Sequence, residues 1–195
     1  VMYEAHHVSG ATKFVVYGSC GVLDNEKCHG KLIVPSHAYR DEGLSYHYMP
    51  PSDYVEMKNC KKVAEIFDKY GFPYVVGKTW TTDAFYRETR DKVKRRRAEG
   101  CVCVDMECAS VAAMAAFRGK DVLQFFYAAD NLSSEQWDKR SLANEDRLAQ
   151  KDVVAYLALE IAATAHYCGV LRGAGKQVPE IDPRLMHMLV TGMMN

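Results

Sequence analysis

No net charge, no long apolar run and no metal-ligand spacing occur in this chain. Its 25 Lys and Arg balance 25 Asp and Glu. That balance removes the long-range attraction on which binding to nucleic acid or an anionic membrane depends. Apolar runs fall well short of the roughly 20 residues needed to cross a bilayer. The opening stretch Val1-Met2-Tyr3-Glu4-Ala5-His6-His7 lacks the basic flank and apolar core of a signal peptide. The seven cysteines form no CxxC pair, and the seven histidines no HExxH or comparable spacing. An odd number of thiols, with Cys101 and Cys103 alternating inside an apolar run, reads as a reduced, cytoplasmic protein that packs its cysteines as small hydrophobes. No repeat, low-complexity tract or Pro/Gly/Ser linker divides the chain, so residues 1–195 read as one domain with a tail over 172–195.

What is present alternates strands with helices. Lys13 to Tyr17 reads as a buried strand running into a small-residue loop, Gly18-Ser19-Cys20-Gly21. A second strand, Lys31 to Val34, is expected to stop at Pro35, and the Tyr-rich stretch from Ser36 to Ser52 reads as loop. Val63, Ile66, Phe67 and Tyr70 fall at i, i+3, i+4 and i+7, which predicts a helix over Asn59 to Tyr70 closed by Gly71. Strands are expected at Pro73 to Thr82, Cys101 to Val104 and Val122 to Ala128. Helices are expected at Arg87 to Ala98, Glu107 to Phe117, Leu148 to Tyr167 and, after an Asp182-Pro183 cap, Leu185 to Leu189. Strands apolar on both faces predict an α/β fold of three layers, with helices on each side of a largely buried sheet. In such sheets ligands bind at the strand ends.

Four strand ends carry residues able to do chemistry. Small residues at Gly18 to Gly21 allow an anion to approach backbone N–H groups, with Ser19 adding a hydroxyl, although a plain tight turn needs the same residues. Phe85 and Tyr86 offer a flat wall to a planar base, with Glu88 and Arg90 within reach of its polar edge; alternatively both aromatics belong to the core. Asp105 and Glu107 open an apolar helix, where Asp105 suits an N-cap and Glu107 can accept hydrogen bonds from a vicinal diol. Burial of Asp130 beside Phe125, Phe126 and Tyr127 would raise its pKa and make it a proton donor, unless it is only a turn residue. The basic cluster Lys92, Lys94, Arg95, Arg96 and Arg97 reads as a solvated helix face. His6, His7, His37 and His47 could touch a ligand, although single histidines are more often structural, and the nine methionines read as packing.

Taken in order, these segments resemble the hexameric purine nucleoside phosphorylase and uridine phosphorylase superfamily, over about residues 1–167. Gly18-Ser19-Cys20-Gly21 resembles the family's phosphate loop. Ser36 to Tyr48, with Arg40-Asp41-Glu42-Gly43 and Ser45, resembles its loop beside the ribose. Thr81-Thr82-Asp83-Ala84-Phe85-Tyr86 resembles its base-stacking segment. Val104-Asp105-Met106-Glu107-Cys108-Ala109 resembles its Val-Glu-Met-Glu-x-Ala ribose motif, and Tyr127-Ala128-Ala129-Asp130-Asn131 the segment whose Asp protonates the leaving purine. The resemblance implies a phosphorylase-like mixed sheet. It also implies that Ser19 and Gly18 bind phosphate, Phe85 and Tyr86 stack on the base, Met106, Glu107 and Arg40 bind the substrate, and Asp130 is the general acid, with Arg140 a loose partner for it. No cofactor is implied; inorganic phosphate is the co-substrate. The expected partners are a nucleoside, phosphate and further copies of the chain as a dimer or trimer of dimers, with no nucleic acid and no membrane.

Breaking the glycosidic bond builds positive charge on ribose and negative charge on the base. Glu107 can stabilise the first, and a proton from Asp130 can neutralise the second. Phosphorolysis of a purine nucleoside is therefore the leading expectation, since uridine phosphorylases of this superfamily generally lack the acid. Val16 stands where the family usually has an arginine, which opens hydrolysis by water as an alternative. Val1 to Gly10 resembles the end of a helix inside the family's sequence, and the family's N-terminal strands are unmatched. A sheet without those strands is expected to have an open edge and to need a partner chain, and an inactive binding or assembly module is a further reading.

Overall fold

The computed structural model describes residues 1–134, 136–140, 152, 154–159 and 161–163. A first helix, α1 (Met2–Ser9), ends at Gly10 in the left-handed region and leads into β1 (Lys13–Val22). A short helical turn, α2 (Asn25–Cys28), precedes β2 (Leu32–Asp41), and β3 (Tyr54–Glu56) follows. Next come α3 (Cys60–Tyr70), β4 (Tyr74–Thr82), α4 (Arg90–Ala98), β5 (Cys101–Asp105), α5 (Cys108–Phe117) and β6 (Asp121–Asn131). Residues 154–159 and 161–163 are helical, within the helix expected over 148–167; the expected helix at Leu185 to Leu189 lies outside the described residues.

The strands form one mixed sheet in the order β3-β2-β4-β5-β1-β6, with β1 antiparallel to β5 and parallel to β6. The β6 margin curls round to meet β2, where Ile33 pairs with Phe126. Neighbouring residues of one strand go to different cores, as the period of two demands. Leu32, Val34, Leu123 and Phe125 pack with Val63, Phe67 and Tyr70 of α3 and with Val154, Leu157 and Ile161. Ile33, Phe126, Val22 and Val102 pack with Cys108, Ala109 and Ala112 of α5. The apolar period of α3 thus has its expected use, and α5, apolar but for Ser110, buries Cys108, Ala109, Ala112, Ala113 and Ala115.

Three strands run longer than expected. Gly18-Ser19-Cys20-Gly21 is not a loop after β1 but part of it, paired residue by residue with β6 as far as Val22 and Asn131. A register shift between Cys20 and Gly21 absorbs the irregularity. Pro35 does not stop β2. The ladder with β4 slips between Pro35 and His37, which accommodates the missing N–H, and the strand continues to Asp41. Likewise β6 runs on through Asp130. The stretch after β2 is not all loop either, since Leu44–His47 forms a 3-10 turn.

One buried carboxylate joins three of these elements. Asp105, at the end of β5, accepts hydrogen bonds at Oδ1 from Thr79 Oγ1 (2.8 Å) and Thr81 Oγ1 (2.9 Å) of β4. Its Oδ2 accepts from the backbone N–H of Glu107 (2.9 Å) and Cys108 (2.6 Å), capping α5. Thr81 Oγ1 in turn accepts from the Ala109 N–H at 3.1 Å. Burial pushes the Asp105 carboxyl up to about 6, against the pull of its four donors.

Two predictions concern stability. A Cβ on Gly77 would lie 2.5 Å and 2.8 Å from the two methyl carbons of Val102, whereas one on Gly18 would meet nothing within 4 Å. Urea unfolding should show Gly77→Ala destabilised by about 1–3 kcal/mol and Gly18→Ala within about 0.5 kcal/mol of wild type. Because the folded pKa of Asp105 lies above the ordinary aspartate value of 3.8, its contribution to stability is fully present below about pH 4 and is lost as pH rises through about 6. Relative to wild type, Asp105→Asn should therefore gain about 2 kcal/mol between pH 4 and pH 7. An equal difference at both pH values would contradict this.

Candidate functional site

The strand registers bring three of the four chemical segments together. Gly21 pairs with Val104 on one side and Asp130 on the other. The ribose-type motif and the acid therefore lie two strand spacings apart, about 10 Å between backbones. Gly21 has to be glycine: a Cβ there would fall 2.5 Å from Leu132 Cδ1, 2.9 Å from Val104 Cγ1 and 3.2 Å from Asp130 Oδ1. Ser19 is exposed on the same strand, paired with Tyr127 of β6. Gly18 has open space above it.

Asp130 is 8% exposed. Its Oδ2 accepts from the indole Nε1–H of Trp137 at 2.7 Å. Burial raises its pKa, and the Trp137 bond and the Arg140 charge only partly offset that. Arg140 itself hydrogen-bonds elsewhere, to Asn25 Oδ1 (2.7 Å) and Asp138 Oδ2 (3.3 Å). The fourth segment arrives from β4 through a 3-10 turn, Phe85–Arg87. Glu88, just past it, is held up to about 7 by burial and then by the negative charge of Asp130. The two carboxyls thus share one neighbourhood. Phe85 and Tyr86 are not core: they are 50% and 89% exposed, with ring centroids 4.0 Å apart.

Met106 and Glu107 are exposed at the start of α5, and Glu107 makes no capping bond with its side chain. The capping carboxylate is Asp105, so Glu107 is left facing outward. Arg40 is placed differently from the expectation of a substrate-binding residue. It is 3% exposed in β2, with Nε on Ser45 Oγ (2.8 Å), Nη1 on the Pro50 carbonyl (2.8 Å) and Ser52 Oγ (2.9 Å), and its guanidinium 4.0 Å from the Tyr46 ring centroid. Its cation staples the segment after β2 rather than facing a ligand of this chain. Glu42, at that same strand end, accepts from Ser110 Oγ (2.6 Å) and the Ser45 N–H (2.9 Å). Burial pushes Glu42 up, but these bonds outweigh it and hold the carboxyl below the usual range.

Trp137 and Thr79 were not singled out in the sequence, and Thr81 only as the start of the base-stacking segment. A Thr-x-Thr alternation on one strand face was the available signal for Thr79 and Thr81; Trp137 had none. The basic helix also differs from expectation. Lys92 pairs with Asp41 at 2.9 Å, and Arg96 is buried over the Tyr39 ring and paired with Glu99, so two of the five cations are paired and one of those is buried. Val16 packs against a cluster of Met2, Ala115 and Val122. A cavity of about 310 Å³ lies away from the site, between α1 and α5, lined by Met2, Tyr3, His6, Arg118 and Lys120 among others. The six described cysteines are all free. Among the described residues, no cluster of three or more His, Cys, Asp or Glu could hold a metal, and no helix is long and apolar enough to cross a membrane.

With this geometry in view, the chain can be set beside known proteins. Residues 1–163 match the family model described as the phosphorylase superfamily. Curated relatives include purine nucleoside phosphorylases of the DeoD type from Bacillus thuringiensis, Bacillus mycoides and Bacillus cereus. Each is 24% identical over 156 residues, a stretch that covers 78% of this chain and 65% of the relative. The chain thus spans just under two-thirds of the length of those relatives. A match over most of its residues, with the motifs meeting around Gly21, means that the chain belongs to the phosphorylase superfamily.

Proposed function

We propose that this protein cleaves the N-glycosidic bond of a purine nucleoside by phosphorolysis, releasing the free base and ribose 1-phosphate. The observation that carries the reading is Asp130. It is a buried carboxyl with a raised pKa, one strand from Gly21 and two from the Asp105-Met106-Glu107 motif. A carboxyl that binds its proton more tightly than usual, because it is buried, can donate that proton to the purine as it leaves. Glu107, exposed and without a capping bond, has its oxygens available to ribose hydroxyls, and Met106 lies beside it. Phe85 and Tyr86 supply the flat apolar surface on which a base stacks, and Glu88 the polar edge. Inorganic phosphate is the co-substrate at Gly18 and Ser19, where the strand surface is open. No other cofactor enters the scheme. Arg140 acts at most through its charge on Asp130, since its hydrogen bonds lie elsewhere. We place the reaction in the cytoplasm, on a three-layer α/β/α scaffold assembled as a homo-oligomer.

Hydrolysis is the second reading, and one observation favours it. Val16 stands in an apolar cluster where a phosphate-binding cation would be expected, so water would be the nucleophile.

Incubation with inosine, adenosine and uridine, with and without phosphate, separates the two. Phosphorolysis requires base release to depend on phosphate; equal release in both conditions would replace it with hydrolysis. Asp130→Asn should lower kcat for purine nucleosides by about 10²–10⁴-fold with little change in binding. Because the acid must carry its proton, the wild-type rate should fall as pH rises past the Asp130 pKa. Glu107→Gln should raise KM and lower kcat together, because ribose contacts act in ground and transition states alike. Wild-type kinetics in either variant would remove that residue from the mechanism.

A further inference from the structure

Asp130 has two oxygens, and they are not equivalent. Oδ2 meets the Trp137 indole N–H, and Oδ1 lies over Gly21, 3.2 Å from the point a Cβ would occupy. We propose that Trp137 is a positioning residue for this acid, favouring its proton on Oδ1, the oxygen beside Gly21. The proposal rests on the reading of Asp130 as the general acid.

The argument is one of donors and acceptors. An indole N–H can only donate. At 2.7 Å it takes a lone pair of Oδ2, and a carbonyl oxygen accepts such a bond better than a hydroxyl oxygen does. When Asp130 is protonated, Oδ1 is therefore the favoured seat of the hydrogen. When the base leaves, the Oδ1–H bond breaks, the new bond forms at a base nitrogen, and the remaining carboxylate keeps its charge-assisted bond to Trp137. An arginine in the same place would lend a full positive charge and hold the carboxyl ionised. The uncharged indole selects the oxygen yet leaves the proton in place.

The local backbone fixes this contact. Asn131 and Asp138 pair backbone to backbone in both directions, at 2.9 Å and 3.1 Å, and close the connection that carries Trp137 back to Asp130. Asn131 Oδ1 accepts from the Ser133 N–H (2.9 Å) and hydroxyl (2.7 Å), stiffening the turn. The ring is half exposed, so it reaches Asp130 without filling a core. Three other charged groups face Asp130: Glu88 from the turn after β4, and Asp138 and Arg140 from the Trp137 segment. The guanidinium is engaged by Asp138 and Asn25, which leaves the indole as the side chain hydrogen-bonded to Asp130 among the described residues.

The test is a carbon-13 NMR titration of the chain labelled at aspartate carboxyl carbons, without nucleoside, with Asp130→Asn identifying the resonance. Trp137→Phe keeps a ring and removes the donor. The Asp130 midpoint should move up by about one pH unit, because the lost bond favoured the ionised form. As a second measurement, the Trp137 indole N–H proton of the wild type should shift with the same midpoint and stop shifting in Asp130→Asn. An unchanged midpoint in Trp137→Phe, or an indole proton indifferent to Asp130, would overturn the proposal whether or not nucleosides are cleaved. A moved midpoint in a protein that cleaves no nucleoside would instead remove the proposed reaction and leave the Trp137 contact standing.

Discussion

The two oxygens of Asp105 serve two different parts of the chain. One takes the hydroxyls of Thr79 and Thr81 across the β4–β5 ladder, and the other takes the first free N–H groups of α5. A carboxylate so deeply buried would be costly alone; four donors make it a fixed point. Because it fixes where β5 ends and α5 begins, it decides that Met106 and Glu107 are displayed at the surface. Because Val104 is paired to Gly21, it also decides how far those residues stand from Asp130.

Much of this was legible in the sequence because it is local. The i, i+3, i+4, i+7 pattern of α3 ends at Gly71 as expected, and the helix starting after Asp105 is apolar enough to be read as buried. The choice of Asp105 rather than Glu107 as the cap followed from residue chemistry alone. The order of the motifs was legible for the same reason, each being a short run of residues at a strand end.

What was not legible depends on partners far away in sequence. Small residues at Gly18 to Gly21 read as loop, but β6 supplies a parallel partner for every one of them, and Gly21 is demanded by Leu132 and Val104 rather than by a turn. Pro35 read as a stop, yet a register slip lets β2 continue. Arg40 reads as a substrate ligand and Arg96 as part of a solvated face until the carbonyls, hydroxyls and tyrosine rings that absorb them are brought near by folding. Trp137 is the clearest case. Seven residues beyond Asp130, it has no pattern to announce it, and only the Asn131–Asp138 bridge returns it to the acid.

Val16 packs with Met2, Ala115 and Val122, contributed by α1, α5 and β6, and is paired with Gln124 across the β1–β6 ladder. A guanidinium introduced there would enter apolar surroundings. The amide oxygen of Gln124 is itself buried without a hydrogen-bond partner among the described residues, so an acceptor waits nearby. The apolar side chains must nevertheless open first, so what position 16 can carry is coupled to how α1 and α5 pack against the strand.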